Sequence, residues 1–69
     1  MKISARNSLE GTIKEIVKGA TTSHVEIELK GGGVVTAAIT NEAVEDLKLA
    51  KGQKAYAVIK ASDVMVAVP

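Results

Sequence analysis

The sequence predicts an all-β domain of five short strands, with one short helix between the third and the fourth. Three observations carry this. Apolar residues recur with a period of two along most of the chain, most clearly in residues 23–30, where Val25, Ile27 and Leu29 alternate with His24, Glu26, Glu28 and Lys30. Turn signals at Gly19, at Gly31-Gly32-Gly33 and at Lys51-Gly52 separate the runs. Only residues 40–47 carry helical spacing, with Val44 and Leu47 three apart.

The elements follow in order. Residues 9–18 form a long first strand, with Leu9, Gly11, Ile13 and Val17 read as inward. Ile16 breaks its alternation, which predicts a bulge near Glu15, and Gly11 marks a sharply curved position. Residues 18–20 turn into the second strand, 23–30, which the glycine triplet ends by supplying the backbone freedom a tight hairpin requires. The third strand, 34–40, is small or apolar on both faces, as expected of a strand covered on both sides. Thr40 or Asn41 caps the helix, and Glu42 lies in its first turn. Residues 53–60 form the fourth strand, with Ala55, Ala57 and Ile59 opposite Tyr56 and Val58. Ala61-Ser62-Asp63 makes a corner, and residues 64–68 form an apolar fifth strand ending at Pro69. Five short strands with a helix between the third and fourth predict an OB-like barrel.

The 69 residues make a single domain. A domain this small buries only about 60% of the surface its unfolded chain exposes and is marginal alone. Small scaffolds gain support from disulfides, a structural metal or association. There is no Cys, and one His cannot build a structural zinc site. Val, Ile, Leu and Ala must fill the core, because Tyr56 is the sole aromatic residue. Association with a second copy is therefore expected. Nine basic and eight acidic residues are too balanced for a nonspecific nucleic-acid surface. No segment resembles a signal peptide, and no apolar run approaches the ~20 residues of a membrane helix. The expectation is a soluble, cytoplasmic, free-standing protein.

Three polar segments stand out beside the apolar strands. Ser4-Ala5-Arg6-Asn7 groups a hydroxyl, a guanidinium and an amide before the first strand, and the Arg fork suits oxyanions. Lys60-Ala61-Ser62-Asp63 places an ammonium, backbone N–H groups and a hydroxyl at a corner that can nest an anion. Thr40-Asn41 opens a helix, whose end presents N–H groups. Taken singly, each has an ordinary structural reading as a solvated end, a turn and a cap. Together they offer donors without a catalytic base, which is what a doubly charged tetrahedral anion needs. No nucleophile–base arrangement is visible, so an enzyme is not expected. His24 reads as a surface residue, Tyr56 as strand cover, and Glu42, Glu45 and Asp46 as a solvated helix face. No bare metal cation is expected.

The run Ser-Ala-Arg-Asn-Ser-Leu-Glu-Gly at positions 4–11 closely resembles the opening signature of the molbindins and related molybdate-binding domains. Val-Ile-Lys-Ala-Ser-Asp-Val-Met at 58–65 resembles their closing signature. The likeness extends to the Gly19 turn, the glycine hairpin and the short helix. It implies an OB-like barrel, assembly as a trimer of dimers, and binding of molybdate or tungstate between subunits. Carried over, it implies an oxyanion shell of Ser4, Ala5, Arg6, Asn7, Thr40, Lys60, Ala61 and Ser62. It further implies a second site on a threefold axis, for which Lys18, Gly19 and Ser23 are the candidates. The implied role is storage and homeostasis of the oxyanion. The alternatives are an oxyanion-sensing module of a transport or transcription system, and a nucleic-acid-binding OB domain, which the balanced charge and single aromatic disfavour.

Overall fold

The computed structural model describes residues 1–69. Its elements are β1 (Asn7–Lys18), β2 (Thr22–Leu29), β3 (Val34–Thr40), the helix α1 (Asn41–Asp46), β4 (Lys54–Ile59) and a single 3₁₀ turn, Ala61–Asp63. The sheet is antiparallel in the order β3-β2-β1-β4. It curls so that Ile13, Val25, Ile27 and Ala57 form a small buried core, with Ile16, Leu29, Val35, Ile39, Val44, Leu49 and Ala55 packed against it.

β1 is the spine. Its first half pairs with β4, from Asn7 opposite Ile59 to Thr12 opposite Lys54, and its second half pairs with β2 out to Lys18 opposite Ser23. Gly11 lies where the two partners overlap, opposite Leu29 on one side and Ala55 on the other. The β1–β2 register slips between Ile13 and Glu15, the bulge that the broken alternation predicts. The extra residue inverts the facing beyond it. Ile16 turns to the core and Val17 is 55% exposed, so Val17 is not the inward residue expected from strict alternation. Leu9 is also outward-leaning, at 40% exposure.

The hairpin after β2 closes with the Leu29 N–H donating to the Gly33 carbonyl and the Gly32 N–H to the Leu29 carbonyl. Gly32 and Gly33 take φ of 99° and 90°, a region that side chains disfavour. Thr40 caps α1, its hydroxyl accepting from the Ala43 N–H at 3.0 Å. Val44 faces the core as expected, but Leu47 does not and is 62% exposed. The chain turns at Lys48, with φ of 52°, and Leu49 packs in its place.

The expected fifth strand is missing from the chain. Residues 64–69 pair with nothing and are exposed throughout. Four strands make an open half-barrel rather than a closed five-stranded one. The apolar pattern of this tail, which alone reads as strand, supplies side chains for a sheet but no neighbouring edge within the chain.

Candidate functional site

The two donor-rich signatures meet at one end of the spine. Asn7 pairs with Ile59, and its side-chain amide donates to the Ile59 carbonyl at 3.2 Å. Arg6 is the residue before this rung and Lys60 the residue after it, so pairing of β1 with β4 sets guanidinium and ammonium segments side by side. Asn7 thus has a tying role as well as a donor's chemistry.

Lys60 leads out of β4 in extended conformation (φ −62°, ψ 132°) into the 3₁₀ turn. The turn's first bond runs from the Asp63 N–H to the Lys60 carbonyl at 2.9 Å, followed by Val64 to Ala61 at 3.3 Å. This leaves the N–H groups of Ala61 and Ser62 outside the turn's own bonding. The three ion pairs of the subunit are Lys18–Glu45, Lys30–Glu10 and Lys54–Glu10. Arg6 and Lys60 enter none of them, and no carboxylate stands within ion-pair distance of either. Ser4, Arg6, Lys60, Ala61 and Ser62 are exposed, while Ala5 and Asn7 are half-buried. The chain therefore presents an open, donor-rich surface with uncompensated positive charge.

Thr40 stands elsewhere. It is opposite Thr22, beside the other end of β1. β1 has 12 residues, so at roughly 3.3 Å per residue its ends lie on the order of 35 Å apart along the strand. Within the chain Thr40 is not brought to Arg6 and Lys60, and it acts there as the helix cap.

Thr40 instead adjoins Lys18, Gly19 and Ser23, the three residues considered for a second oxyanion site. Here the structure gives every donor a partner inside the chain. Ser23 is fully buried, and its hydroxyl donates to the Asn41 side-chain oxygen at 2.5 Å. The Gly19 N–H donates to the Thr22 carbonyl at 2.9 Å, and the Asn41 amide donates back to the Gly19 carbonyl at 3.0 Å. Lys18 lies 3.7 Å from Glu45 in an exposed pair. Ser23, at the start of β2, is thus tied to Asn41 within the chain.

Asn41 is the residue whose role sequence reasoning missed. It reads there only as an alternative cap, whereas it ties α1 to the β1–β2 turn. The signal was present: Ser23 shares the inward phase of Val25 and Ile27, and a hydroxyl on a buried face requires a partner.

No group of three or more His, Asp or Glu side chains comes together as a metal site, and no helix is long and apolar enough to cross a membrane. Residues 3–66 match the TOBE domain family, a span that includes both signatures.

The chain belongs to that family.

Its relatives agree. The chain is 46% identical, over 99% of both chains, to the probable molybdenum-pterin-binding protein of Haemophilus influenzae. It is 52% identical over 96% of its length to the molybdenum transport protein ModE of Herbaspirillum seropedicae, but spans only 24% of that longer protein. Among solved structures it superimposes on the cytoplasmic molybdate-binding protein ModG with molybdate bound, with a TM-score of 0.94 and 48% identity, covering all of this TOBE domain and 49% of ModG. The all-β fold with one short helix is therefore that of molbindin structures.

Proposed function

We propose that this TOBE domain binds molybdate or tungstate at interfaces between its own copies and serves intracellular storage and homeostasis of the oxyanion without covalent chemistry. The observation that carries this reading is the Asn7–Ile59 rung, which joins the Ser4–Asn7 segment to Lys60, Ala61 and Ser62 and leaves both cations without a carboxylate partner. The names of the relatives support the choice of anion.

The shared site follows from exposure. Hydrogen bonds to a charged ligand are strong when water is excluded, and donors on an open surface are screened. Ser4, Arg6, Lys60, Ala61 and Ser62 need a neighbouring subunit as cover, and Thr40 reaches the anion only from such a neighbour. A homo-oligomer, a trimer of dimers, meets both needs. Selection against sulfate, alike in charge and shape, comes from the size of the closed cavity.

Calorimetric titration with molybdate tests this directly. The expectation is saturable heat at micromolar anion with sulfate much weaker. Absence of heat with both anions sinks the reading. A second reading, an oxyanion-sensing module, is favoured by the 52% identity to a quarter of ModE. It predicts the same binding, with the change read out by a further domain.

A further inference from the structure

The helix α1 stops in a turn whose usual occupant is glycine. The Leu49 N–H donates to the Val44 carbonyl at 3.1 Å, and the Lys48 N–H donates to the Glu45 carbonyl at 3.0 Å. This pair of bonds requires a left-handed residue after the C-cap. Lys48 supplies it, with φ of 52°. A side chain in that conformation crowds its own backbone, which glycine avoids. Nothing within the chain compensates: Lys48 is exposed and enters no ion pair and no side-chain hydrogen bond. A strained side chain that the fold itself does not use points to a use outside the fold.

The same turn gathers further groups around Lys48. It leaves Leu47 exposed while Leu49 packs against the core. It leads on to Lys51, after which the chain is bound back to β1: the Gly52 N–H donates to the Ile13 carbonyl at 2.8 Å, and the Ile13 N–H to the Gln53 carbonyl at 2.9 Å. Ile13 is buried, so its neighbour Lys14 stands on the outer face beside this loop. Lys14, Lys48 and Lys51 are exposed and have no carboxylate within ion-pair distance, whereas Lys18, Lys30 and Lys54 are each paired. The loop after α1 therefore carries free positive charge next to an exposed leucine.

We propose that Lys14, Leu47, Lys48 and Lys51 form a docking surface for a short acidic segment of a different protein, which sets carboxylates against the lysines and an apolar side chain against Leu47. Charge complementarity selects the partner's sign. The acids of α1 select its kind. Glu45 is held by Lys18, but Glu42 and Asp46 are free of ion pairs and precede the patch directly. A nucleic acid or an anionic membrane presents a continuous negative surface that would meet these carboxylates as well, and like charges so placed repel. A short peptide segment meets the lysines and avoids the acids. The surface is separate from Arg6 and Lys60 and needs no oxyanion.

The test titrates an acetylated, amidated Glu-Asp-Leu-Glu-Asp peptide into the ¹⁵N-labelled protein in oxyanion-free buffer, with phosphatidylserine vesicles and oligo(dT) as parallel arms. The expected result is saturable amide shifts at Lys14, Leu47, Lys48 and Lys51 that fade as salt rises. Lys48→Gly decides the matter, because it relieves the strained turn. It should raise the unfolding midpoint by several degrees and yet weaken the peptide by about two- to fivefold, the range of one exposed ion pair. Lys48→Arg should keep the affinity, and so should Lys2→Ala and Lys30→Ala. Absence of shifts, shifts spread evenly over all lysines, or unchanged affinity in Lys48→Gly overturns the docking surface. Vesicles or oligo(dT) bound at these residues more tightly than the peptide overturn it too. Molybdate titration of the same Lys48→Gly protein reads the oxyanion site separately and should match the unsubstituted chain.

Discussion

The Ser23 hydroxyl donates to the side-chain oxygen of Asn41 at 2.5 Å, and no part of Ser23 is accessible to solvent. The Gly19 carbonyl can only accept, so the Asn41 nitrogen must face it and the Asn41 oxygen must face Ser23. One side chain thereby clamps the start of the helix to the turn between β1 and β2. Ser23→Ala leaves the Asn41 oxygen without its donor, and Asn41→Ala leaves a buried hydroxyl without an acceptor. Each should destabilise by about 1–3 kcal/mol, the cost of an unmade buried hydrogen bond. In a domain of this size 1 kcal/mol corresponds to roughly 4–8 °C in Tm. The double variant should lose less than the sum, because the residues share one bond. Thermal unfolding of the three variants at fixed protein concentration checks this; strictly additive losses would deny the coupling.

The alternation of β2 and β4 was fully readable, because each strand has one buried face and one wet one. Beyond the β1 bulge it was not: an inserted residue inverts the facing, and Ile16 and Val17 exchange roles without any change in composition. The tail failed for a different reason. Periodicity records what a segment needs to pack against, not which chain provides it, and residues 64–68 read as strand whether or not an edge is at hand. At the site, the two signatures were legible as chemistry, and the Asn7–Ile59 rung shows why they lie together. The separation of Thr40 from them could not be read, since it follows from β3 and β4 lying at opposite edges of the sheet.

Gly11 is hemmed in by β2. A Cβ there would run into the Glu28 carbonyl oxygen and lie 2.8 Å from Cγ2 of Ile27. The nearest obstacle is backbone of the central strand pair, which cannot swing aside as a flexible side chain does. Gly11→Ala should therefore cost about 1–3 kcal/mol, the range for overpacking a filled interior. Gly31→Ala meets nothing within 4 Å and serves as the control. Chemical denaturation of the two variants compares them, and equal stability would mean that the sheet opens freely at Gly11.

Lys54 titrates above its ordinary value of 10.5, first through the Tyr56 hydroxyl and second through the Glu10 carboxylate 3.8 Å away. A lysine raised in the folded state contributes stability that is fully present below the unfolded value and is lost as pH rises through the folded one. The contribution is therefore complete at neutral pH and fades only above pH 10.5. Tyr56→Phe should move the Lys54 midpoint down towards 10.5 in an NMR titration of the side-chain amine. Glu10→Gln should move it in the same direction. A midpoint unchanged in both variants would separate Lys54 from these partners.

Arg6 is exposed and takes part in none of the subunit's ion pairs or side-chain hydrogen bonds. Its removal should leave the subunit's own stability within about 0.5 kcal/mol, as for surface positions without special contacts. In the proposed closed interface the same guanidinium would face a doubly charged anion. Removing one partner of a desolvated charge pair weakens binding by about 2–4 kcal/mol, or roughly 30- to 800-fold in Kd at 1.4 kcal/mol per tenfold. Lys60→Ala should follow the same pattern from the other side of the Asn7–Ile59 rung. The contrast carries the argument: large losses in molybdate affinity by calorimetry, with circular dichroism and unfolding midpoint held. Arg6→Ala with unchanged affinity would remove Arg6 from the site. A variant that lost affinity and stability together would instead mark Arg6 as a residue of the subunit interface rather than a ligand of the anion.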